Sequence, residues 1–151
     1  MEDTREVLDF LSRRKGRLNA LVVSGGEPTL QEDLEPFLEE VRSLGLKIKL
    51  DTNGSRPWVL KGLIEGRLVD FVAMDIKAPW EKYGLLAGAP VDTAAIERSM
   101  NLILDSDIRH LFRTTFVPHL LNQDDLERIR KTLPSRACYK VQPYVKPGLA
   151  A

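Results

Sequence analysis

Cysteine is nearly absent from this chain of 151 residues, where Cys138 stands alone. An internal disulfide is excluded, and so is any metal site built from cysteines alone. The count fits a reducing, cytoplasmic setting. Long apolar runs are missing too, and the N-terminus lacks the charged-then-apolar plan of a signal peptide, so no membrane partner is expected. Neither sign of charge is in excess, with 22 basic and 22 acidic residues. That balance argues against strong attraction to nucleic acid and leaves room only for a local basic patch. Histidine is scarce: His110 and His119 share no metal-ligand spacing with each other or with Cys138, and both read as surface or loop residues. Phosphate-cradling loops of the types Gly-x-Gly-x-x-Gly and Gly-x-x-x-x-Gly-Lys-Ser/Thr do not occur. Internal repeats, low-complexity tracts and linkers are also missing, so residues 1–151 read as a single domain.

What is present is an ordinary globular composition, 43% hydrophobic and 29% charged. A helix is expected from Thr4 to Lys15, capped by Asp3 with Glu6 and closed by Gly16. The β-branched run from Ala20 to Ser24 reads as a buried strand. Helical spacing of Leu34, Phe37, Leu38, Val41 and Leu44 follows, with Pro36 confined to the first turn. Next come a strand over Lys47 to Asp51, a helix from Pro57 burying Val59, Leu60, Leu63 and Ile64, and a strand within Val69 to Ile76. A helix carrying Ile96, Met100, Ile103 and Leu104 precedes a strand over His110 to Val117. The last helix is capped by Asn122 or Asp124, and Tyr139 to Val145 closes the series as a strand. Alternation of this kind predicts an α/β fold with a parallel sheet and right-handed crossovers. The long connection from Ala78 to Val91 is a candidate lid. Trp58 and Trp80 read as packing residues, and Cys138 as a small buried one.

The strand ends carry the polar residues. Ser24-Gly25-Gly26-Glu27-Pro28-Thr29 breaks the first strand with two glycines, which open the backbone to a ligand. Lys49, Asp51 and Asn53 share a face of the second strand, Asp75 and Lys77 of the third, Arg113 and Thr115 of the fourth, Lys140 and Gln142 of the fifth. In a sheet rolled like a barrel the charged members converge on one concave site, with Glu27 at its rim. Each piece also has a structural reading: an Asx turn at Asp51-Thr52-Asn53-Gly54, an ion pair between Asp75 and Lys77, a countercharge for Asp75 at Arg113. Their repetition at successive strands favours a polar ligand site. Carboxylates and strand-end carbonyls suit an ammonium group, and Lys77 or Arg113 suits a carboxylate, so the fitting ligand is a zwitterion.

The stretch from Ser24 to Thr29 resembles the Gly-Gly-Glu-Pro motif of radical S-adenosylmethionine (SAM) enzymes. Leu50-Asp51-Thr52-Asn53-Gly54, Met74-Asp75-Ile76-Lys77 and Phe112-Arg113-Thr114-Thr115 are similar to blocks of the branch that activates glycyl-radical enzymes. That branch includes pyruvate formate-lyase activating enzymes and the activating proteins of anaerobic ribonucleoside-triphosphate reductase. The resemblance runs from about Thr4 to Gln142 and implies a partial (βα) barrel. It implies that Gly25, Gly26 and Glu27 contact the amino group of the methionine moiety of SAM. It further places Asp51, Asn53, Asp75, Lys77 and Arg113 around the cofactor or the substrate glycine loop. Its implied partners are a glycyl-radical enzyme as protein substrate and an electron donor such as flavodoxin or ferredoxin.

The family pattern departs at one point. It holds a [4Fe-4S] cluster through Cys-x-x-x-Cys-x-x-Cys after a first strand, and neither those cysteines nor that strand is found here. The cluster supplies the electron that cleaves SAM to the 5′-deoxyadenosyl radical, which takes a hydrogen atom from glycine. The chain is therefore expected to be an N-terminally incomplete core, with no metal site and no catalytic residue of its own, inert in radical chemistry alone. The exposed edge of Leu21 to Ser24 is expected to favour self-association. Two other readings compete: a cluster-less module that binds SAM or a protein without catalysis, and a Schiff-base lyase using Lys77.

Overall fold

In the computed structural model, which describes residues 4–145, β1 (Ala20–Val23), β2 (Lys47–Thr52), β3 (Phe71–Asp75), β4 (Arg109–Phe116) and β5 (Tyr139–Pro143) form one parallel sheet in sequential order. The connecting helices are α1 (Thr4–Arg13), α2 (Leu34–Ser43), α3 (Pro57–Glu65), α4 (Tyr83–Ala87), α5 (Thr93–Asp105) and α6 (Gln123–Thr132). Sequential parallel strands joined by right-handed crossovers place their helices on one face of the sheet, as in a barrel wall.

Burial shows which face that is. Ile48, Leu50, Val72, Met74, Ile76 and Phe112 point one way and are at most 2% exposed. They pack against Leu38 and Val41 of α2, Leu60 and Leu63 of α3, Ile96 and Ile103 of α5, and Ile129 of α6. Residues of the opposite parity carry Val22, Lys49, Asp51, Asp75 and Arg113 on a face that no helix among the described residues covers. Val22 is 54% exposed there. The polar strand ends are thus held rigidly from behind by an apolar core and left open in front.

Several expected boundaries shift. The first helix ends at Arg13, before Lys15, and the Asp3 cap lies outside the described residues. Asn122, and not Asp124, caps α6, through a reciprocal box with Asp125. The last strand stops at Pro143, short of Val145, with one further bond from Tyr144 N to Phe116 O. The stretch from Ala78 to Val91 is not a free loop. It holds a 3-10 turn (Trp80–Lys82) and α4, and it is tied down: Lys82 Nζ donates to buried Asp125 at 2.7 Å, Arg128 pairs with Glu81, and Trp80 stacks on Tyr83. Val59 is 37% exposed and Trp58 is 73% exposed, so α3 turns both outward and Trp58 is not a packing residue. Cys138 is exposed. His110 lies within β4 against the ring of Phe112, not in a loop. No helix among the described residues is long and apolar enough to cross a membrane.

Candidate functional site

The loop leaving β1 is built around two left-handed glycines. Gly25 (φ +102°) and Gly26 (φ +55°) are exposed, and a Cβ on either would meet nothing within 4 Å. Glycine is required by the backbone there, not by neighbours, so the main chain stands bare to solvent at the carboxyl end of the strand. Glu27 follows and is not at the rim: it is 7% exposed. Its Oε1 accepts from Thr29 N (3.2 Å), Thr29 Oγ1 (2.5 Å) and Thr52 Oγ1 (2.7 Å), and its Oε2 accepts from Asn53 N (2.6 Å). A buried carboxylate needs such a donor set to offset its desolvation. Glu27 therefore fastens the glycine loop to the end of β2.

That second loop is anchored from three sides. Thr52 Oγ1 also accepts from Gly54 N, and Asn53 Oδ1 accepts from Ser55 N at 2.8 Å, an Asx turn. Ser99 Oγ of α5 donates to Gly54 O at 2.7 Å. Gly54 (φ +74°) lies so close to Met74 that a Cβ would fall 2.2 Å from its Cε.

Asp51, Asp75 and Arg113 meet on the open face. Arg113 donates from Nε to Asp75 Oδ1 (2.9 Å) and from Nη1 to Asp51 Oδ2 (3.1 Å). Asp51 Oδ1 has no directed hydrogen bond, and its partner is the Lys49 ammonium at 2.8 Å. Register explains the cluster: Asp75 and Arg113 are directly paired, and Asp51 is level with Ala73, whose small side chain leaves space for the guanidinium. Burial pulls the Arg113 pKa down, but the charges and hydrogen bonds of Asp75 and Asp51 outweigh it and hold the group above its ordinary value. Arg113 is thus spent on two carboxylates.

Lys77 is different. It does not pair with Asp75, and no hydrogen bond or ion pair engages its side chain among the described residues. Lys77 lines a cavity of about 110 Å³ with Asp75, Ile76, Arg113, Thr115 and Leu86. The Tyr83 hydroxyl donates to Asp75 O, and burial pushes its pKa up to about 12, with the Lys77 backbone pulling down and the Asp75 charge adding to the rise. Complete ligand pockets run to about 300–1,000 Å³, so this cavity fits the end of a ligand whose remainder lies over the open face. A wider groove of about 470 Å³ between α3 and α5, lined by Trp58, Ile64 and Leu102, faces outward and is remote from the strand ends.

The donor set fits a zwitterion: bare backbone at Gly25–Gly26, a free carboxylate oxygen on Asp75 and a free ammonium on Lys77. It does not fit an iron–sulfur cluster. Among the described residues no three His, Cys, Asp or Glu side chains are grouped to hold a metal ion, and Cys138 is level with Leu111, below the strand ends. Sequence reasoning missed the clamp partners Thr29, Thr52 and Ser99 and the Lys82–Asp125 pair. A hydroxyl two places after Glu27 and another beside Asn53 were the available signals for the first two.

A model of the radical SAM superfamily matches residues 1–133. A Methanocaldococcus jannaschii protein, whose name proposes it as a glycyl-radical enzyme activating enzyme, is 35% identical over 149 residues, covering 95% of this chain and 60% of that protein. The chain therefore spans about three fifths of that relative's length. A crystal structure of a domain of pyruvate-formate lyase-activating enzyme from Bacteroides vulgatus superposes with a TM-score of 0.71 at 18% identity, covering 83% of this chain and 81% of that one. The structure of anSMEcpe with bound AdoMet gives a TM-score of 0.72 at 19% identity, covering 94% of this chain and 43% of that one. These likenesses show a shared partial barrel of parallel strands, and the family model, which matches most of the chain, shows that the chain belongs to the radical SAM superfamily.

Proposed function

We propose that this chain is the SAM-binding core of a glycyl-radical-enzyme activating protein. The observation that carries the reading is the pairing of bare, left-handed Gly25–Gly26 backbone with the unpaired Lys77 ammonium at the same end of the sheet. β1 and β3 are two strands apart, about 10 Å, a span that the methionine moiety and the Lys77 side chain would have to bridge together. In this arrangement the strand-end carbonyls and Asp75 hold the amino group of the methionine moiety, and Lys77 holds its carboxylate. Glu27 positions the glycine loop without touching the ligand, and Asn53 does the same through its turn. Arg113 keeps Asp51 and Asp75 ionised and in place.

When bound, SAM supplies the group that removes a hydrogen atom from a glycine of the partner enzyme. Radical SAM enzymes use a [4Fe-4S] cluster for this, and no residue set among the described residues fits one, so this chain supplies the SAM half of the site and no electron step is assigned to its residues. The partners that follow are a glycyl-radical enzyme and an electron donor of the flavodoxin or ferredoxin kind, in the cytoplasm.

The test is a chimera. The remaining length of the M. jannaschii relative is joined to this chain and reconstituted anaerobically with iron and sulfide. Under reduction it should release 5′-deoxyadenosine from SAM, and Lys77→Gln should raise the KM for SAM. A chimera that binds iron and never cleaves SAM would overturn the reading.

A further inference from the structure

The outward side of α3 carries two residues that its own chain does not explain. Trp58 is 73% exposed, the most exposed of the large apolar side chains among the described residues. Four places on, Gly62 sits inside the helix, where glycine costs stability relative to alanine. Its backbone is not left-handed, and a Cβ there would meet nothing within 4 Å. Trp58, Lys61, Gly62 and Glu65 follow helical spacing and form one stripe. Arg98, Leu102 and Asp105 of α5 are spaced the same way, and the groove of about 470 Å³ runs between the two helices. Both helices follow strands of one parallel sheet, so both run from its carboxyl end to its amino end. Lys61 and Arg98 therefore stand nearer the carboxyl end, with Glu65 and Asp105 about 6 and 10 Å further down. Their own pairings are loose: Lys61 to Glu65 is 3.7 Å, Arg98 to Asp92 3.5 Å and Asp105 to Arg136 3.3 Å, in pairs that solvent weakens. A groove positive at one end and negative at the other is complementary to itself turned end for end, which is the condition for a two-fold interface.

We propose that this groove docks a second copy of the chain, with α3 lying antiparallel on α3 and α5 on α5 about a two-fold axis that crosses the groove. Arg98 of each copy then faces Asp105 of the other, and Lys61 faces Glu65. Trp58 is covered by the lower end of the second copy's α3. Gly62 lies beside the axis and lets the two α3 backbones approach closely, which accounts for a glycine that the single chain does not need. The patch is two short helices wide, smaller than the about 800 Å² per partner of a standard interface, so the affinity is expected in the micromolar range. The groove is on the helix side of the sheet, so the inference stands apart from the SAM site and leaves the strand ends free.

The test is sedimentation velocity of the full chain from about 1 to 500 μM, at low and moderate salt. Monomer should give way to dimer over this range, and less so as salt rises. Arg98→Glu alone and Asp105→Arg alone should each weaken the dimer by about tenfold or more, because each sets like charges opposite one another twice. An equimolar mixture of the two variants should regain the wild-type affinity within about threefold, since each new charge then meets its opposite on the other chain. Arg98 and Asp105 are about 10 Å apart along one helix, so this rescue cannot arise within a single chain. Gly62→Gln should raise the urea midpoint of the monomer, as a better helix former, and weaken the dimer by about tenfold, opposite signs that a purely structural glycine would not give. All three positions are exposed, and circular dichroism checks that each variant folds. A chain that stays monomeric throughout, a dimer that none of the three variants weakens (as one formed at the β1 edge would be), or a mixture no tighter than the single variants would each overturn the proposal.

Discussion

Thr52 Oγ1 donates a 2.7 Å hydrogen bond to Glu27 Oε1, joining residues 25 positions apart. With Asn53 N on Oε2, it makes the loops after β1 and β2 a single unit. The glycine backbone is offered at a fixed height over the sheet because a buried carboxylate holds it there. Loops at strand ends are ordinarily the mobile part of an α/β protein, so a clamp of this kind pre-organises a ligand site.

Glu27→Gln keeps one acceptor and turns an amide donor toward groups that already donate. The expected loss is about 1–3 kcal/mol of folding stability in urea denaturation. Thr52→Val should cost about 1 kcal/mol. Because the two share one hydrogen bond, the double variant should depart from additivity by about 0.5 kcal/mol or more. Strict additivity would show that the two loops are not coupled.

The glycines separate backbone need from packing need. Gly54→Ala places a methyl against fully buried Met74 in a left-handed backbone, and should cost about 2–4 kcal/mol. Gly25→Ala meets open space and should cost about 1 kcal/mol from strain alone. The same Gly25→Ala chain should bind SAM more weakly, since the added methyl stands where the backbone faces solvent. Thermal denaturation and calorimetry on the two variants check both statements.

Arg113 and Lys77 line one cavity and should respond oppositely to substitution. Arg113→Gln leaves Asp51 and Asp75 without their shared countercharge, and the expected loss of stability is about 1–3 kcal/mol after allowance for solvent at Asp75. Lys77→Gln breaks no contact and should leave the urea midpoint within about 0.5 kcal/mol of wild type. A large destabilisation by Lys77→Gln would mean that its ammonium is engaged in the free protein.

Tyr83 sets an alkaline limit. Its pKa rises from 10.0 unfolded to about 12 folded, so the folded state holds the phenol proton more tightly. The contribution is full below pH 10 and is lost as pH climbs through 12, by about 2–3 kcal/mol. Stability measured from pH 9 to 12 should fall more steeply in the wild type than in Tyr83→Phe, with parallel curves as the contrary result.

The strand positions were legible because each strand announces itself twice, once by a β-branched or apolar run and once by a polar stop at its carboxyl end. The convergence of Asp51, Asp75 and Arg113 followed from side-chain alternation. What alternation does not carry is who pairs with whom across strands. Asp75 reads as the partner either of Lys77 two places on or of Arg113, and register selects Arg113, because a strand turns residues two apart the same way without bringing their ends together. Glu27 was legible as important but not as buried, because its partners Thr52 and Asn53 arrive from another strand. The segment from Ala78 to Val91 looked free because its anchor, Asp125, lies 43 residues from Lys82.

The most direct measurement is calorimetric titration of SAM into the full chain and into Lys77→Gln. The wild type should bind, and Lys77→Gln should bind about tenfold more weakly with an unchanged fold, as the loss of one charge-assisted contact requires. No heat of binding in the wild type, or equal affinity in the two proteins, would contradict a SAM site formed by Gly25–Gly26 and Lys77.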